Sequence, residues 1–237
     1  MRANKAKLWH LKQVNLFRGM PAELGAKVEE MTTMQSFTKG SKLFLSPDPT
    51  NNLFILKSGR VKVSKVAEDG KELIKAILYP GEIFGETGLS GSLMRGDEAT
   101  ALDNNVLVCA MKIDDLKTLM SMHPSLGLSV TASLGKKMAR MDRQLESLIF
   151  KDAQGRVIEF LLLMAKDHGE VIGKHVIIEH NLTHQDMANL TATSRQTVTT
   201  ILNDLKEEGI LSIERKKVLV KDMAALKEFL ETPLASD

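Results

Sequence analysis

Arg195, Gln196, Thr199, Thr200 and Asn203 recur on one side of a helical repeat whose other side is Val198, Ile201, Leu202 and Leu205. The chemistry these polar types share is hydrogen bonding to base edges. Arginine donates bidentately to guanine, and glutamine or asparagine matches the donor and acceptor of adenine. Downstream, Glu214-Arg215-Lys216-Lys217 is a short basic run able to lie against phosphates. Reaction chemistry is poorly provided for. The chain has no GxxxxGK[ST] loop, no G-x-S-x-G elbow and no H-E-x-x-H pair. Glu82 and Glu86 lie four apart beside Gly85, yet no nucleophile or base is matched to them, so an enzyme is not expected.

The elements that must position the base-reading set are legible around it. Ser194 or Thr193 opens its helix, and Gly209 closes it. Before it, Thr183 and Asp186 form a reciprocal capping pair, and Met187, Ala188 and Leu190 supply the buried side of a shorter helix. Thr191-Ala192-Thr193 is the tight break between the two. Ile210–Ile213 and Val218–Val220 then read as two strands flanking the basic run. The whole is a winged helix-turn-helix, a unit that puts its second helix in a DNA major groove. The rival reading is a module that docks on proteins, which would present exposed aromatic or aliphatic anchors where this chain has polar residues.

Between about Lys39 and Met111, short apolar runs alternate with glycine turns at Ser58-Gly59, Asp69-Gly70 and Pro80-Gly81. That pattern predicts an all-β sandwich or barrel, bracketed by helical segments over about Trp9–Met34 and Ile113–Ser121. A single helix is expected over Ser125–Ile149. On it Leu134, Met138, Met141, Leu145 and Leu148 follow a four-three spacing, which predicts a dimer seam; packing on the chain's own β domain is the other use for such a stripe. Phe150–Ala153 is the expected hinge. The predicted fold is α+β: residues 1–120 an N-terminal double-stranded β-helix (a jelly-roll-like β-roll) with N-terminal helices, 121–149 a long central dimerisation helix, and 150–237 a C-terminal winged helix-turn-helix.

The chain has 237 residues with 32 Lys and Arg against 30 Asp and Glu. From Phe150 onward acidic residues slightly outnumber basic ones, so any electrostatic footprint on DNA must be local. No long apolar run predicts a membrane span, and the N-terminus lacks the apolar core of a secretory signal. One cysteine, Cys109, excludes a disulfide framework and a cysteine-ligated iron–sulfur cluster. A cytoplasmic protein is expected.

The order of parts resembles the CRP/FNR superfamily of bacterial transcription regulators. The resemblance rests on Gly81-Glu82-Ile83-Phe84-Gly85-Glu86, on Phe150-Lys151-Asp152-Ala153-Gln154-Gly155-Arg156 and on Ser194-Arg195-Gln196-Thr197-Val198. It implies a homodimer on two-fold symmetric double-stranded DNA that contacts RNA polymerase. By motif position Arg195 is the base-reading arginine, and Gln196 stands where the family often has glutamate. Thr200 stands where cyclic-AMP-type members carry a second arginine, and Thr183, His184 and Gln185 resemble phosphate-contacting positions. In members that bind cyclic AMP, a Gly-Glu pair holds the ribose, an Arg-Ser pair the phosphate and a Thr-Ser pair the adenine. Here Gly85-Glu86 is present, but the ungapped counterparts of the other pairs are Gly96-Asp97 and Met141-Asp142. A carboxylate beside a phosphate is repulsive. Arg95 is one residue out of step, and a one-residue slip on a strand turns a side chain to the other face. Cyclic AMP is therefore not expected; haem stays open, with His10, His123 and Cys109 as nominal ligands. The effector remains unassigned. A signal received near Glu86, Arg95, Met141 and Asp142 is expected to repack the helices and swing the DNA readers about the hinge.

Overall fold

The computed structural model describes residues 22–180, 182–214 and 217–231. The expected N-terminal helix before residue 22, with His10, and the wing residues Arg215 and Lys216 lie outside these. The chain forms two compact units that divide between Ala139 and Arg140.

In the first unit, helix α1 (Ala22–Glu30) leads into strand β1 (Thr32–Phe37). Thr32–Met34 is thus strand where the sequence pattern predicted helix. The reason is tertiary: β1 pairs along its whole length with β8 (Val106–Lys112), a partner about seventy residues away that no local pattern reveals. Two four-stranded antiparallel sheets result. One has the order β1-β8-β3-β6, with β3 at Asn52–Ser58 and β6 at Ile83–Phe84. The other has the order β2-β7-β4-β5, with β2 at Lys42–Phe44, β4 at Val61–Val66, β5 at Glu72–Leu78 and β7 at Glu98–Ala101. Asp69-Gly70 makes the β4–β5 hairpin, Gly70 taking φ 82°. The turns at Gly59 and Gly81 instead carry the chain from one sheet to the other.

Strand alternation sorts the apolar residues into two cores. Phe54 and Leu56 of β3, with Val106, Val108 and Ala110 of β8, meet Phe44, Val61, Leu78, Ala99 and Ala101 of the opposite sheet inside the roll. Leu53 and Ile55, with Cys109 and Met111, point to the other face. There α1, α2 (Ile113–Met122) and the start of α3 (Pro124–Phe150) cover them through Leu24, Val28, Leu116, Leu119, Leu126 and Val130. This is why β3 is buried on both faces and reads as a continuous apolar run.

In the second unit, α4 (Ala153–His168) is capped by Asp152, whose Oδ1 accepts from Gly155 N at 2.7 Å. β9 (Gly169–Ile172) and β10 (His175–Glu179) form a hairpin; α5 (His184–Thr191) and α6 (Arg195–Glu207) follow. β11 (Leu211–Glu214), β12 (Lys217–Val220) and α7 (Met223–Glu231) complete the unit, with sheet order β11-β12-β10-β9. Its core joins Val157, Ile158 and Leu161 of α4 to Val198, Ile201, Leu202 and Leu205 of α6.

Candidate nucleic-acid interface and effector site

Helix α5 begins on a complete capping box. Thr183 Oγ1 accepts from Asp186 N at 3.1 Å, and Asp186 Oδ2 accepts from Thr183 N at 2.9 Å. Met187 and Ala188 are buried as expected, whereas Leu190 is half-buried and Thr191 takes an interior place, its hydroxyl donating to Met187 O at 2.8 Å. The break is made by Ala192 in the left-handed region, φ 49°. A second support was not legible in the sequence. The Arg156 guanidinium of α4 donates to Thr191 O at 2.7 Å, to Ala192 O at 3.0 Å and to Lys151 O at 2.8 Å. An arginine in a hinge motif gives no local sign that its fork closes on carbonyls thirty-five residues downstream.

Ser194 caps α6, accepting from Thr197 N at 3.0 Å. At the other end Gly209, φ 73°, donates to Lys206 O and Ile210 to Leu205 O, the paired bonds of a Schellman stop that requires a left-handed residue. Held between these ends, α6 buries its apolar side and leaves Arg195, Gln196, Thr200 and Asn203 exposed. Thr199 is half-buried and occupied: its hydroxyl donates to Arg195 O at 2.9 Å and meets His184 Nδ1 at 2.9 Å. Thr183, His184, Gln185 and Arg195 line one open cleft, which joins the start of α5 to the start of α6. Gln185 Nε2 donates to Asn189 Oδ1 at 2.8 Å.

The wing strands pair in register from Leu211↔Val220 to Glu214↔Lys217. Lys217 Nζ sits 2.6 Å from Glu179 Oε1, its register partner on β10, and this hydrogen bond raises the ammonium above its ordinary pKa. Lys217 therefore already has an anionic neighbour on the protein.

On α3, Leu126 and Val130 are buried against the first unit's helices and sheet, and Leu134 packs on the same cluster. The stripe is divided in use: its upper part serves the chain's own β domain. Met138, Met141, Leu145 and Leu148 are 65%, 61%, 57% and 47% exposed. Asp142 is also exposed.

Within the β-roll, Gly85 takes φ 79°, and a Cβ there would stand 2.8 Å from the Arg95 Nη1. Arg95 is 4% exposed. Its guanidinium donates to Asn52 O at 2.6 Å and lies 4.0 Å over the ring of Phe44, which clusters with Phe54 and Phe84. Burial pulls this guanidinium below its ordinary pKa, while the carboxylates of Asp48 and Glu86 act in the opposite sense. Asp97 turns away to Lys75 of β5, 2.6 Å off. Period-two alternation does not govern this position, because Arg95 precedes β7 in irregular backbone pinned by Arg95 N donating to Asp48 O at 2.8 Å. Glu86 opens a short 3-10 turn (Glu86–Ser90) and pairs with Lys137 of α3 at 2.7 Å. An inward arginine with one side-chain hydrogen bond, beside a carboxylate, fits the charged part of a small anion. His123 is half-buried after α2, and Cys109 is fully buried within β8.

Residues 34–123 match the cyclic nucleotide-binding domain, and residues 155–229 match the Crp-like helix-turn-helix domain. A CRP-like cAMP-activated global transcriptional regulator of Mycobacterium tuberculosis is 30% identical over 217 residues, covering 91% of this chain and 96% of that one. A global nitrogen regulator of Synechocystis sp. is 28% identical over 218 residues, covering 90% and 93%. Among solved structures, a CooA mutant from Carboxydothermus hydrogenoformans superposes with a TM-score of 0.74 at 29% identity, covering 93% and 95%.

Proposed function

Since the chain belongs to the CRP/FNR family of DNA-binding transcription regulators, we propose that it acts as a homodimer on a two-fold symmetric site, read by Arg195, Gln196, Thr200 and Asn203. The observation that carries this reading is the face of α6: four polar side chains exposed on a helix whose opposite side is fully buried, with no aliphatic or aromatic anchor among them. Such a face suits base edges and gives a protein partner little to desolvate. Arg195 takes a guanine and Gln196 an adenine, so the preferred half-site differs from one read by an arginine–glutamate pair. Thr183, His184 and Gln185 contact the phosphate backbone, as does Lys217 once it exchanges Glu179 for a phosphate, joined by Arg215 and Lys216 beside it in sequence.

Subunits pair along Met138, Met141, Leu145 and Leu148, which places two recognition helices on one duplex. RNA polymerase is the further partner, and the cytoplasm the compartment, that this activity entails. No helix among the described residues is long and apolar enough to cross a membrane. DNA binding responds to a small anionic effector: Arg95 holds its phosphate or carboxylate, and Glu86, released from Lys137, accepts from a hydroxyl. Relatives named for cyclic AMP make that nucleotide the first compound to try.

Selection of bound sequences from a random DNA pool by the purified protein tests the core of the reading. A palindromic consensus with guanine and adenine at the arginine and glutamine positions is expected; no enrichment, or enrichment unchanged by Arg195→Ala and Gln196→Ala, refutes it. Calorimetry with cyclic AMP and with other phosphate- and carboxylate-bearing compounds tests the effector. Heat from the wild type that is lost in Arg95→Lys supports the assignment, and an unchanged titration opposes it.

A further inference from the structure

The hydrogen bonds around Thr199 select one tautomer of His184. Thr199 Oγ1 lies 2.9 Å from the carbonyl oxygen of Arg195 and 2.9 Å from His184 Nδ1. Two oxygens at that distance repel unless a proton lies between them, and a carbonyl has none to give. The single hydroxyl proton therefore points at Arg195 O. What Thr199 offers the imidazole is a lone pair, so Nδ1 must carry the hydrogen. In a neutral ring that leaves Nε2 bare, an acceptor only. Nε2 has no hydrogen-bond partner among the described residues, and His184 lines the open cleft shared with Thr183, Gln185 and Arg195.

A bare nitrogen and a phosphate oxygen repel, whereas an imidazolium Nε2–H donates a charge-assisted hydrogen bond. We propose that DNA binding by this protein takes up one proton per subunit at His184 Nε2, because Thr199 holds the ring's other hydrogen on Nδ1. The proton comes from solvent, and no bond other than N–H forms. The inference rests on the DNA-binding reading above and adds a regulated contact to it: the protein binds its site more tightly at pH 6 than at pH 8. It also makes Thr199 a positioning residue that acts through His184, instead of a reader whose hydroxyl meets a base. Among the described residues, the charged groups nearest the ring are these: Arg195 of α6 shares the cleft, and the Asp186 carboxylate of α5 is held by Thr183. Arg156 of α4 meets α5 at its far end, at Thr191 and Ala192.

The sign is set by linkage. If the bound complex holds protons that the free protein releases, affinity rises as pH falls, on the order of tenfold or more for the dimer between pH 8 and pH 6. The experiment measures affinity of the full-length protein for its selected site by fluorescence anisotropy from pH 6 to pH 8 at fixed salt. Calorimetry in buffers of different ionisation heat counts the protons. His184→Gln, whose amide donates at every pH, should bind with a nearly flat profile and lose the proton uptake. Thr199→Val frees the tautomer, so a neutral ring can donate through Nε2; its profile should flatten chiefly through tighter binding at pH 8. A wild-type profile that is flat, or one that persists unchanged in both variants, overturns the inference while leaving DNA binding intact. Absence of binding at every pH removes the DNA-binding reading and the inference together.

Discussion

Arg195 and Gln196 sit in the first turn of α6, where a recognition helix meets base edges, and both are exposed with their chemistry unspent. Arg195→Ala should cost about 1–3 kcal/mol of site affinity and relax the preference at one base pair per half-site. Competition with single-base variants of the site measures both; equal loss across all variants would mean that Arg195 contacts phosphate alone. Thr199 has the residue type of a base reader, yet its hydroxyl donates to Arg195 O and lies 2.9 Å from His184 Nδ1. Ala192 is the one non-glycine residue with positive φ among the described residues, at φ 49°. A side chain in that region is strained by about 1–2 kcal/mol, of which glycine's extra chain entropy takes back a part. Ala192→Gly should therefore stabilise the second unit by about 0.5–1 kcal/mol, read as a higher midpoint in denaturant with DNA affinity retained.

At the scale of elements, α3 divides its labour. Leu126, Val130 and Leu134 pack on the first unit's core, and Met138, Met141, Leu145 and Leu148 stay exposed. One apolar spacing therefore packs within the chain at its start and leaves its later residues open for the proposed dimer seam. Leu145→Asp puts a charge into the exposed part only. It should turn the dimer into monomer in sedimentation, weaken site binding at least tenfold and leave the helix content of the subunit unchanged; a dimer that persists would move the seam elsewhere. The ends of α5 and α6 were readable because capping is local chemistry: Thr183 with Asp186, and Ser194 with Thr197, need no distant partner. The first half of β1 differs from the sequence expectation for the opposite reason, since what makes Thr32–Met34 a strand is Met111, Ala110 and Cys109 across the ladder.

For the whole molecule, a formal net charge of +2 means that DNA affinity depends on a few placed cations, so it should fall steeply with salt, with a slope near that of the phosphates neutralised. Plotting log affinity against log salt checks this, and at pH 6 His184→Gln, which removes a phosphate contact, should lower the slope more than Arg195→Ala, which removes a base contact. If an anion bound at Arg95 changes DNA affinity by some factor, DNA must change anion affinity by the same factor. Titrations in both orders test that equality, and unequal factors would mean that the two measurements follow different species. The chain by itself determined the order of parts, the caps, the glycine turns and the polar face of α6, because each is set by residues within a few positions of one another. Only the folded structure decided that Arg95 turns inward, that Asp97 goes to Lys75, that Arg156 clamps the helix-turn-helix break and that Thr199 is bound to His184. Those outcomes depend on irregular backbone and on partners far away in sequence, where neither helical nor strand periodicity says which way a side chain points.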